Sequence, residues 1–379
     1  MKVVVGVSGS IAAHKALLLC RELYKRGYEI KVILTKGALN FVLPLPFKEL
    51  ANAEVFTDED FFKGNTHINL SRWAETFVIV PATYNIIGKV ANGIADDLLT
   101  SAAASYKGPL VFIPAMHTEM WRNPILKENI NRLKSFGHIV FPTVEGALAS
   151  GDYGEGRMVE VGDILSFLED IRKLRDLWKG KRVVITYGGT MESIDDVRVI
   201  TNKSSGKMGI SLATYLKALG SYVVAVGCGG VDVAPSDEFY RVYTVEELYN
   251  ALKDLDYDYL FMAAAVSDFK PSYQKGKIKK EVEKIILELS PNLDVLKEIT
   301  KHKRGKVVGF ALEERGKLVE EAKRKLFEKN LDYIVANPVE VIGGDTTEVV
   351  LISQKGVLGE FKGTKWEVAR EIIMRLSSE

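Results

Sequence analysis

The run Thr201-Asn202-Lys203-Ser204-Ser205-Gly206-Lys207-Met208-Gly209 places hydroxyls, backbone amides and two lysines ahead of a helical pattern. Such residues grip phosphate oxygens at a helix N-terminus, where unpaired N–H groups and the helix dipole favour negative charge. It is not a Walker A loop, because Thr201 takes the place of that motif's first glycine and Met208 that of its Ser/Thr. A serine-capped helix with a solvated lysine is the plainer reading. A second phosphate candidate is Gly6-Val7-Ser8-Gly9-Ser10-Ile11, which lacks the second and third glycines of the dinucleotide fingerprint. That argues against NAD and leaves either a mononucleotide phosphate loop or a tight turn with Ser10 as helix cap. Pro81-Ala82-Thr83-Tyr84-Asn85 and Pro114-Ala115-Met116-His117-Thr118-Glu119-Met120-Trp121 add polar groups to two strand ends. His67 and His117 carry imidazoles that titrate close to neutrality. No Cys/His cluster with zinc spacing occurs.

Those residues need rigid elements behind them. In the first half, Val3–Val7, Glu29–Leu34, Phe77–Pro81, Leu110–Ile113 and His138–Phe141 read as strands. Ile11–Arg26, with Ile11, Leu18 or Leu19, and Leu23 at helical spacing, reads as the first crossover helix. Asp163–Trp178 reads as a closing helix, and Lys179-Gly180-Lys181-Arg182 as a charged hinge, so domains are expected at 1–179 and 180–379. The second half repeats the pattern, with strands at Val183–Thr186, Tyr222–Val226, Tyr259–Ala264, Val307–Phe310, Tyr333–Ala336 and Val349–Ile352. Its helices are expected at Met208–Leu219, Val245–Leu255 and Leu318–Lys329. Continuous apolar strands separated by helices predict an α/β protein of two doubly wound, Rossmann-like domains with parallel sheets covered on both faces. Ligands then bind outside the carboxyl ends of the strands, where the loops after Val80 and Ile113 fall.

At 379 residues the chain is long enough for two cores. Its 51 basic and 50 acidic side chains leave no bulk field to recruit nucleic acid or an anionic membrane, so any basic site is local. Met1-Lys2 runs directly into Val3-Val4-Val5, and no apolar run has the length of a membrane span, which predicts a cytoplasmic protein. Cys20 and Cys228 fall in different halves, as suits a reducing compartment.

With Pro81–Asn85, Gly93–Leu99, Pro114–Trp121 and His67-Ile68-Asn69-Leu70, the first half resembles the flavin-dependent cysteine decarboxylases, which carry a flavodoxin-like flavoprotein domain. The resemblance implies FMN held by Gly9, Ser10, Ile11, Thr35, Ala82, Thr83, Asn85 and the region of Ser101. It implies oxidation of the substrate's cysteinyl thiol to a thioaldehyde, whose C=S accepts the electrons released by decarboxylation. His67 is implied as base or orienter at the thiol, and His117 as the dock for the substrate carboxylate. His117 stands where most relatives have Asn, a variant associated with archaeal members. Leu148-Ala149-Ser150-Gly151-Asp152-Tyr153-Gly154-Glu155-Gly156-Arg157-Met158 matches the family's substrate flap, but Ser150 stands where the family has its proton-donating cysteine. A thiol of pKa about 8.5 gives up a proton near neutrality, and a serine hydroxyl does not.

In the second half, Asp195–Asn202, the Ser204–Gly209 run, Ala263–Asp268, Lys277-Ile278-Lys279-Lys280, Gly309-Phe310-Ala311 and Lys325–Asn337 together resemble phosphopantothenate–cysteine ligase. That implies activation of a carboxylate by CTP as an acyl-cytidylate, with Mg²⁺ on the clustered phosphates. Lys277 is implied to neutralise the α-phosphate and Asn202 to hold the acyl-cytidylate for attack by cysteine. Ala264, Asp268, Phe310, Lys325 and Lys329 fall at nucleotide-contacting positions. The whole chain then reads as a bifunctional enzyme of coenzyme A synthesis: a ligase that makes 4′-phosphopantothenoylcysteine and a decarboxylase that converts it to 4′-phosphopantetheine. Its partners are small molecules and copies of itself, with trimers and dimers combining into a dodecamer. A ligase with an impaired, regulatory flavin-binding half is the alternative, and a nicotinamide oxidoreductase is opposed by the missing fingerprint.

Overall fold

Val3, Val4, Val5 and Val7 are wholly buried, and a strand apolar on both faces must lie inside a sheet covered on both sides. The computed structural model describes residues 1–279, 286–341, 344 and 346–379. Its contacts divide the chain into two units, Met1–Arg175 and Asp176–Glu379. The first unit contains β1 (Lys2–Val7), β2 (Glu29–Leu34), β3 (Glu54–Thr57), β4 (Thr76–Ala82), β5 (Leu110–Pro114) and β6 (Ile139–Val140) in one sheet, ordered β3-β2-β1-β4-β5-β6. All its pairings are parallel. Helices α1 (Ala13–Lys25), α2 (Pro44–Ala51), α3 (Thr66–Trp73), α4 (Tyr84–Ala91), α5 (Leu98–Ser105), α6 (Thr118–Arg122) and α7 (Pro124–Ser135) connect the strands. The hairpin β7 (Val144–Ala147) and β8 (Tyr153–Arg157) precedes α8 (Val161–Trp178), whose last turn contains the division between the units. The strand order reverses between β1 and β4, so a ligand crevice is expected above their carboxyl ends.

The expected first helix is shorter at its start, because Ser10 O accepts from Ala13 N in a turn that precedes it. Ile11 therefore lies off the helix and is 59% exposed. The buried stripe runs through Ala13, Ala16, Leu19, Cys20 and Leu23, so Leu19 and not Leu18 faces the core. The edge strand β3, four residues and half-exposed, has no apolar run to announce it.

The second unit contains β9 (Arg182–Gly188), β10 (Met191–Ser193), β11 (Val199–Thr201), β12 (Tyr222–Cys228), β13 (Glu238–Val242), β14 (Tyr259–Met262), β15 (Phe269–Pro271), β16 (Leu289–Pro291), β17 (Lys306–Glu313), β18 (Tyr333–Pro338), β19 (Thr346–Ser353) and β20 (Gly356–Thr364). Its helices are α9 (Lys207–Ala218), α10 (Val245–Leu252), α11 (Val295–Thr300), α12 (Leu318–Glu328) and α13 (Lys365–Leu376). The main sheet is eight-stranded, ordered β13-β12-β9-β14-β17-β18-β19-β20. The expectation of a wholly parallel sheet fails at one edge. β19, which holds the expected strand Val349–Ile352, runs antiparallel to β18, and β20 runs antiparallel to β19. The reason is chain length: a parallel crossover takes a dozen or so residues, and neither connection has them. No helix among the described residues is long and apolar enough to cross a membrane.

Candidate active sites

The crevice of the first unit lies where the strand order reverses. Ser8, one residue past β1, donates from Oγ to the Pro81 carbonyl at 2.7 Å and accepts from the Thr83 N–H at 3.1 Å, tying the ends of β1 and β4 together. Thr83 Oγ1 in turn caps α4 by accepting from Ile86 N. The cavity there measures about 620 Å³. Its lining includes Gly9, Ser10, Thr35, Thr83 and Asn85 of the expected flavin residues. A Cβ placed on Gly9 would sit 2.9 Å from the carbonyl carbon of Gly37, so the loops after β1 and β2 meet backbone to backbone. Their closeness keeps side chains out of a cradle that suits a phosphate beside Ser10 and Thr35.

Three expected flavin residues do not line the cavity. Ile11 is exposed on the preceding turn, Ala82 is packed in the core with its carbonyl accepting from Ala115 N, and Ser101 is buried with Oγ on the Ala95 carbonyl at 3.2 Å. The cavity instead takes Ser8, Lys36, Asp58, Lys89 and Asp97. Lys89 is paired with Asp96 at 2.7 Å and with Asp97 at 3.3 Å. The sequence places Lys36 beside Thr35 and Asp97 inside the Gly93–Leu99 run, and those adjacencies were the available signal.

His67 is half-buried on α3, edge-on to the Phe61 ring at 5.8 Å, and its Nδ1 is buried with no hydrogen-bond partner among the described residues. It is not among the residues lining the cavity. His117 and Ser150 do come together, through a residue the sequence did not single out. His117 Nε2 lies 2.9 Å from Asp152 Oδ2, and Ser150 Oγ donates to the same oxygen at 2.9 Å. His117 also caps α6, its Nδ1 accepting from Glu119 N at 3.3 Å. An imidazole nitrogen that accepts carries no proton, so the neutral ring has its hydrogen on Nε2, facing Asp152. The bond from His117 first, and that from Ser150 second, hold the Asp152 carboxyl below its ordinary pKa.

In the second unit the chemistry again gathers beyond strand ends. Thr186 Oγ1 accepts from Ala264 N at 3.2 Å, and Thr190 Oγ1 accepts from Ser267 N at 2.9 Å. Asn202 Nδ2 donates to the carbonyls of Ala265 at 3.3 Å and Val266 at 3.0 Å. These bonds tie the Ala264–Ser267 backbone to β9, to the loop after it and to Asn202 just past β11. The adjoining cavity, about 190 Å³, is lined by Lys203–Gly209, Ala263–Ala265, Phe310 and Asn337 among others. Gly206 precedes α9 at φ +70°, a left-handed conformation that glycine takes without strain. Of the expected nucleotide residues, Ala264 and Phe310 line this cavity, and Asp268, Lys277, Lys325 and Lys329 do not. Lys325 is paired with Glu313 at 2.6 Å and Lys329 with Asp294 at 2.8 Å. Asp268 and Lys277 are exposed, and Lys280 lies outside the described residues.

Asp195 and Asp196 explain how Lys277 is held. Asp195 Oδ1 accepts from the N–H groups of Val197 and Arg198 at 2.9 and 2.7 Å, and its Oδ2 accepts from Ile278 N at 3.1 Å. Asp196 accepts from Gly276 N at 3.1 Å and from the Tyr273 hydroxyl. Arg198 reaches the Ile278 carbonyl at 2.9 Å, so the segment on both sides of Lys277 is fastened to the Asp195–Arg198 turn. Burial pushes the Asp195 pKa up, but the amides of Ile278, Val197 and Arg198 outweigh it and hold it below the ordinary value. A carboxyl with a depressed folded-state pKa stabilises above its unfolded pKa of about 3.9, and that stability is lost as pH falls through the folded value. Asp195→Asn is therefore expected to lower the melting temperature at neutral pH, with the gap to the parent closing under acid. Thermal melts across that range check it, and a gap independent of pH would contradict it.

The fold is that of a two-domain α/β protein with a cavity beyond the strand ends of each doubly wound sheet. Residues 1–173 match the family described as Flavoprotein, and residues 178–378 match that described as DNA/pantothenate metabolism flavoprotein C-terminal domain. The chain is 34% identical over 380 residues to the coenzyme A biosynthesis bifunctional protein CoaBC of Borreliella burgdorferi, covering 98% of this chain and 97% of that one. It is 37% identical over 390 residues to the protein of the same description from Bacillus subtilis, covering 98% and 95%. A crystal structure of the C-terminal domain of a coenzyme A biosynthesis bifunctional protein CoaBC is 31% identical, covers 53% of this chain and 95% of its own, and has a TM-score of 0.44. The chain belongs to the family of coenzyme A biosynthesis bifunctional proteins CoaBC. It is a flavoprotein of coenzyme A synthesis with decarboxylase and ligase activities on small-molecule substrates.

Proposed function

We propose that residues 180–379 join cysteine to 4′-phosphopantothenate at the expense of CTP, and that residues 1–179 decarboxylate the 4′-phosphopantothenoylcysteine so formed to 4′-phosphopantetheine. The observation that carries this reading is that motif residues of each half border a cavity beyond its strand ends: Gly9, Ser10, Thr35, Thr83 and Asn85 in one, Ser204–Gly209, Ala264 and Phe310 in the other. In the ligase, Lys277 neutralises the α-phosphate as the substrate carboxylate attacks it, from a segment fastened by Asp195 and Asp196. Asn202 commits its Nδ2 to backbone carbonyls, which leaves Oδ1 to accept from a ligand. Asp268, Lys325 and Lys329 contact the nucleotide only if Lys325 and Lys329 exchange their present carboxylate partners for phosphate. Mg²⁺ rides chiefly on the triphosphate, since among the described residues no three His, Cys, Asp or Glu gather to hold a metal.

In the decarboxylase, Gly9, Ser10, Thr35, Thr83 and Asn85 would hold FMN in the cradle, with Ile11 exposed on the adjoining turn and Ala82 and Ser101 buried, and FMN would supply the two-electron acceptor that turns the thiol into a C=S sink. His67 orients the thiol and takes its proton. His117 donates from Nε2 to the substrate carboxylate. Ser150, exposed on the flap, hands on a proton drawn from water, which a hydroxyl can do without the acidity of a thiol. Leu39, Phe41, Leu43 and Leu45 are exposed next to the cavity-lining Lys36 and Gly37, and this apolar run supports association of copies, as trimers and dimers within a dodecamer.

Ser150 in the flap also favours a second reading, a working ligase beside an impaired flavin half. Mass spectrometry of products from phosphopantothenate, cysteine, CTP and Mg²⁺ separates the two. Phosphopantetheine is the expected product. Accumulated phosphopantothenoylcysteine, or its oxidised and decarboxylated enethiol, would support the second reading, and no coupling at all would sink the ligase assignment.

A further inference from the structure

His117 has one proton to offer a ligand, and another group already holds it. Because Nδ1 accepts from Glu119 N, the only ring hydrogen is on Nε2, and Asp152 takes it at 2.9 Å. A substrate carboxylate docking at His117 must displace a carboxylate of the chain itself. We propose that Asp152 is a positioning residue that stands in for the substrate's carboxylate, occupying His117 until phosphopantothenoylcysteine displaces it and returning once that carboxylate has left as carbon dioxide. The inference rests on the reading that His117 docks the substrate carboxylate.

The hairpin is built for such an exchange. Its base is pinned to the Met116–Arg122 segment: Met116 N donates to the Gly156 carbonyl at 3.0 Å, Thr118 Oγ1 to the Glu155 carbonyl at 2.7 Å, and Arg122 pairs with Glu155 at 3.0 Å. Its turn, Ala149–Asp152, is exposed, and Asp152 joins it to His117. The Asp152 side chain is 64% exposed, so releasing it to water costs little. Decarboxylation breaks the bond from the carboxyl carbon to Cα, the electron pair moves into the substrate's C=S sink, and neutral carbon dioxide departs. Carbon dioxide accepts a hydrogen bond far less well than an anion does, so Nε2–H returns to Asp152. Ser150 Oγ is bonded to the same Asp152 oxygen, so the returning carboxylate brings the hydroxyl with it, at the stage when the product needs a proton.

The test uses the full, flavin-loaded protein and two matched ligands. Phosphopantothenoylserine has a hydroxyl for the thiol, cannot form the C=S sink and keeps its carboxylate; its ethanolamine counterpart lacks only the carboxylate. Removing an exposed competitor of this kind in Asp152→Ala is expected to tighten phosphopantothenoylserine binding by roughly two- to fivefold and leave the ethanolamine ligand unchanged. Asp152→Asn, which keeps an acceptor without its charge, is expected to tighten it less. His117→Ala should weaken only the carboxylate ligand and abolish the gain from Asp152→Ala in the double variant. If His117→Ala discriminates between the ligands but Asp152→Ala alters both equally or neither, the inference is overturned and the docking reading stands. If His117→Ala does not discriminate, the docking reading fails and the inference with it. Retained flavin absorption in each variant shows that the fold survives.

Discussion

Lys277→Ala is expected to slow coupling of cysteine to phosphopantothenate by roughly 10²–10³, the cost typical of removing one preorganised group that meets developing transition-state charge. The reasoning is electrostatic. Attack of a carboxylate on a nucleotide α-phosphate brings an anion to an anion, and the barrier falls only if a cation is already in place. Lys277 is exposed, on a segment held by carboxylate-to-amide bonds on both sides, and lysines elsewhere in the domain such as Lys325 and Lys329 are already paired. Lys277→Arg should recover part of the loss, because charge is the property required. Pyrophosphate release with CTP measures the step, and decarboxylation of supplied phosphopantothenoylcysteine should be unaffected. A loss below about tenfold, about 1.4 kcal/mol in barrier, would remove Lys277 from the activation step.

His67→Asn is expected to lower decarboxylation by roughly 10²–10⁴, the range for loss of a general base, with ligation untouched. Its environment separates function from stability. A buried polar atom without a partner is a cost that native structures rarely carry without a use, and among the described residues Nδ1 of His67 is such an atom. Among the described residues, substitution gives up no hydrogen bond from that nitrogen and loses the edge contact with Phe61. The melting temperature should therefore hardly move while decarboxylation collapses. A variant that loses both together would make His67 a structural residue.

The strands buried on both faces were legible because their signal is a run of apolar residues. β1, β4 and β5 coincide with such runs, and so do β9, β12, β14, β17 and β18. What escaped was at the edges. β3, β13 and β20 are partly exposed, and β20 has glycine at three interior or terminal positions, so neither continuity nor alternation marks it. The direction of β19 is a matter of connection length, not of its own residues. In the sites, glycine, serine and histidine positions announced themselves by type, and the residues that organise them did not. Ser8 and Asp152 act through geometry between distant segments, Ser8 across 73 residues to Pro81 and Asp152 across 35 to His117. The Asp195-Asp196 pair was visible as a motif, but its work, fastening the chain around Lys277, is a matter of register with a segment some 80 residues on.

The two cysteines of the chain, Cys20 and Cys228, are both buried, and burial pushes both thiols up, that of Cys228 to about 12. Thiolate is the nucleophile in disulfide exchange and in attack on peroxides, so neither side chain is chemically available at neutral pH. The flap has a hydroxyl at Ser150, where a thiol would be open to solvent. An enzyme whose substrate, intermediates and product all carry sulfur thus exposes no thiol of its own. Cysteine and phosphopantetheine cannot trap it as mixed disulfides, and oxidants that turn over the thiol pool around it find no cysteine on this protein to modify.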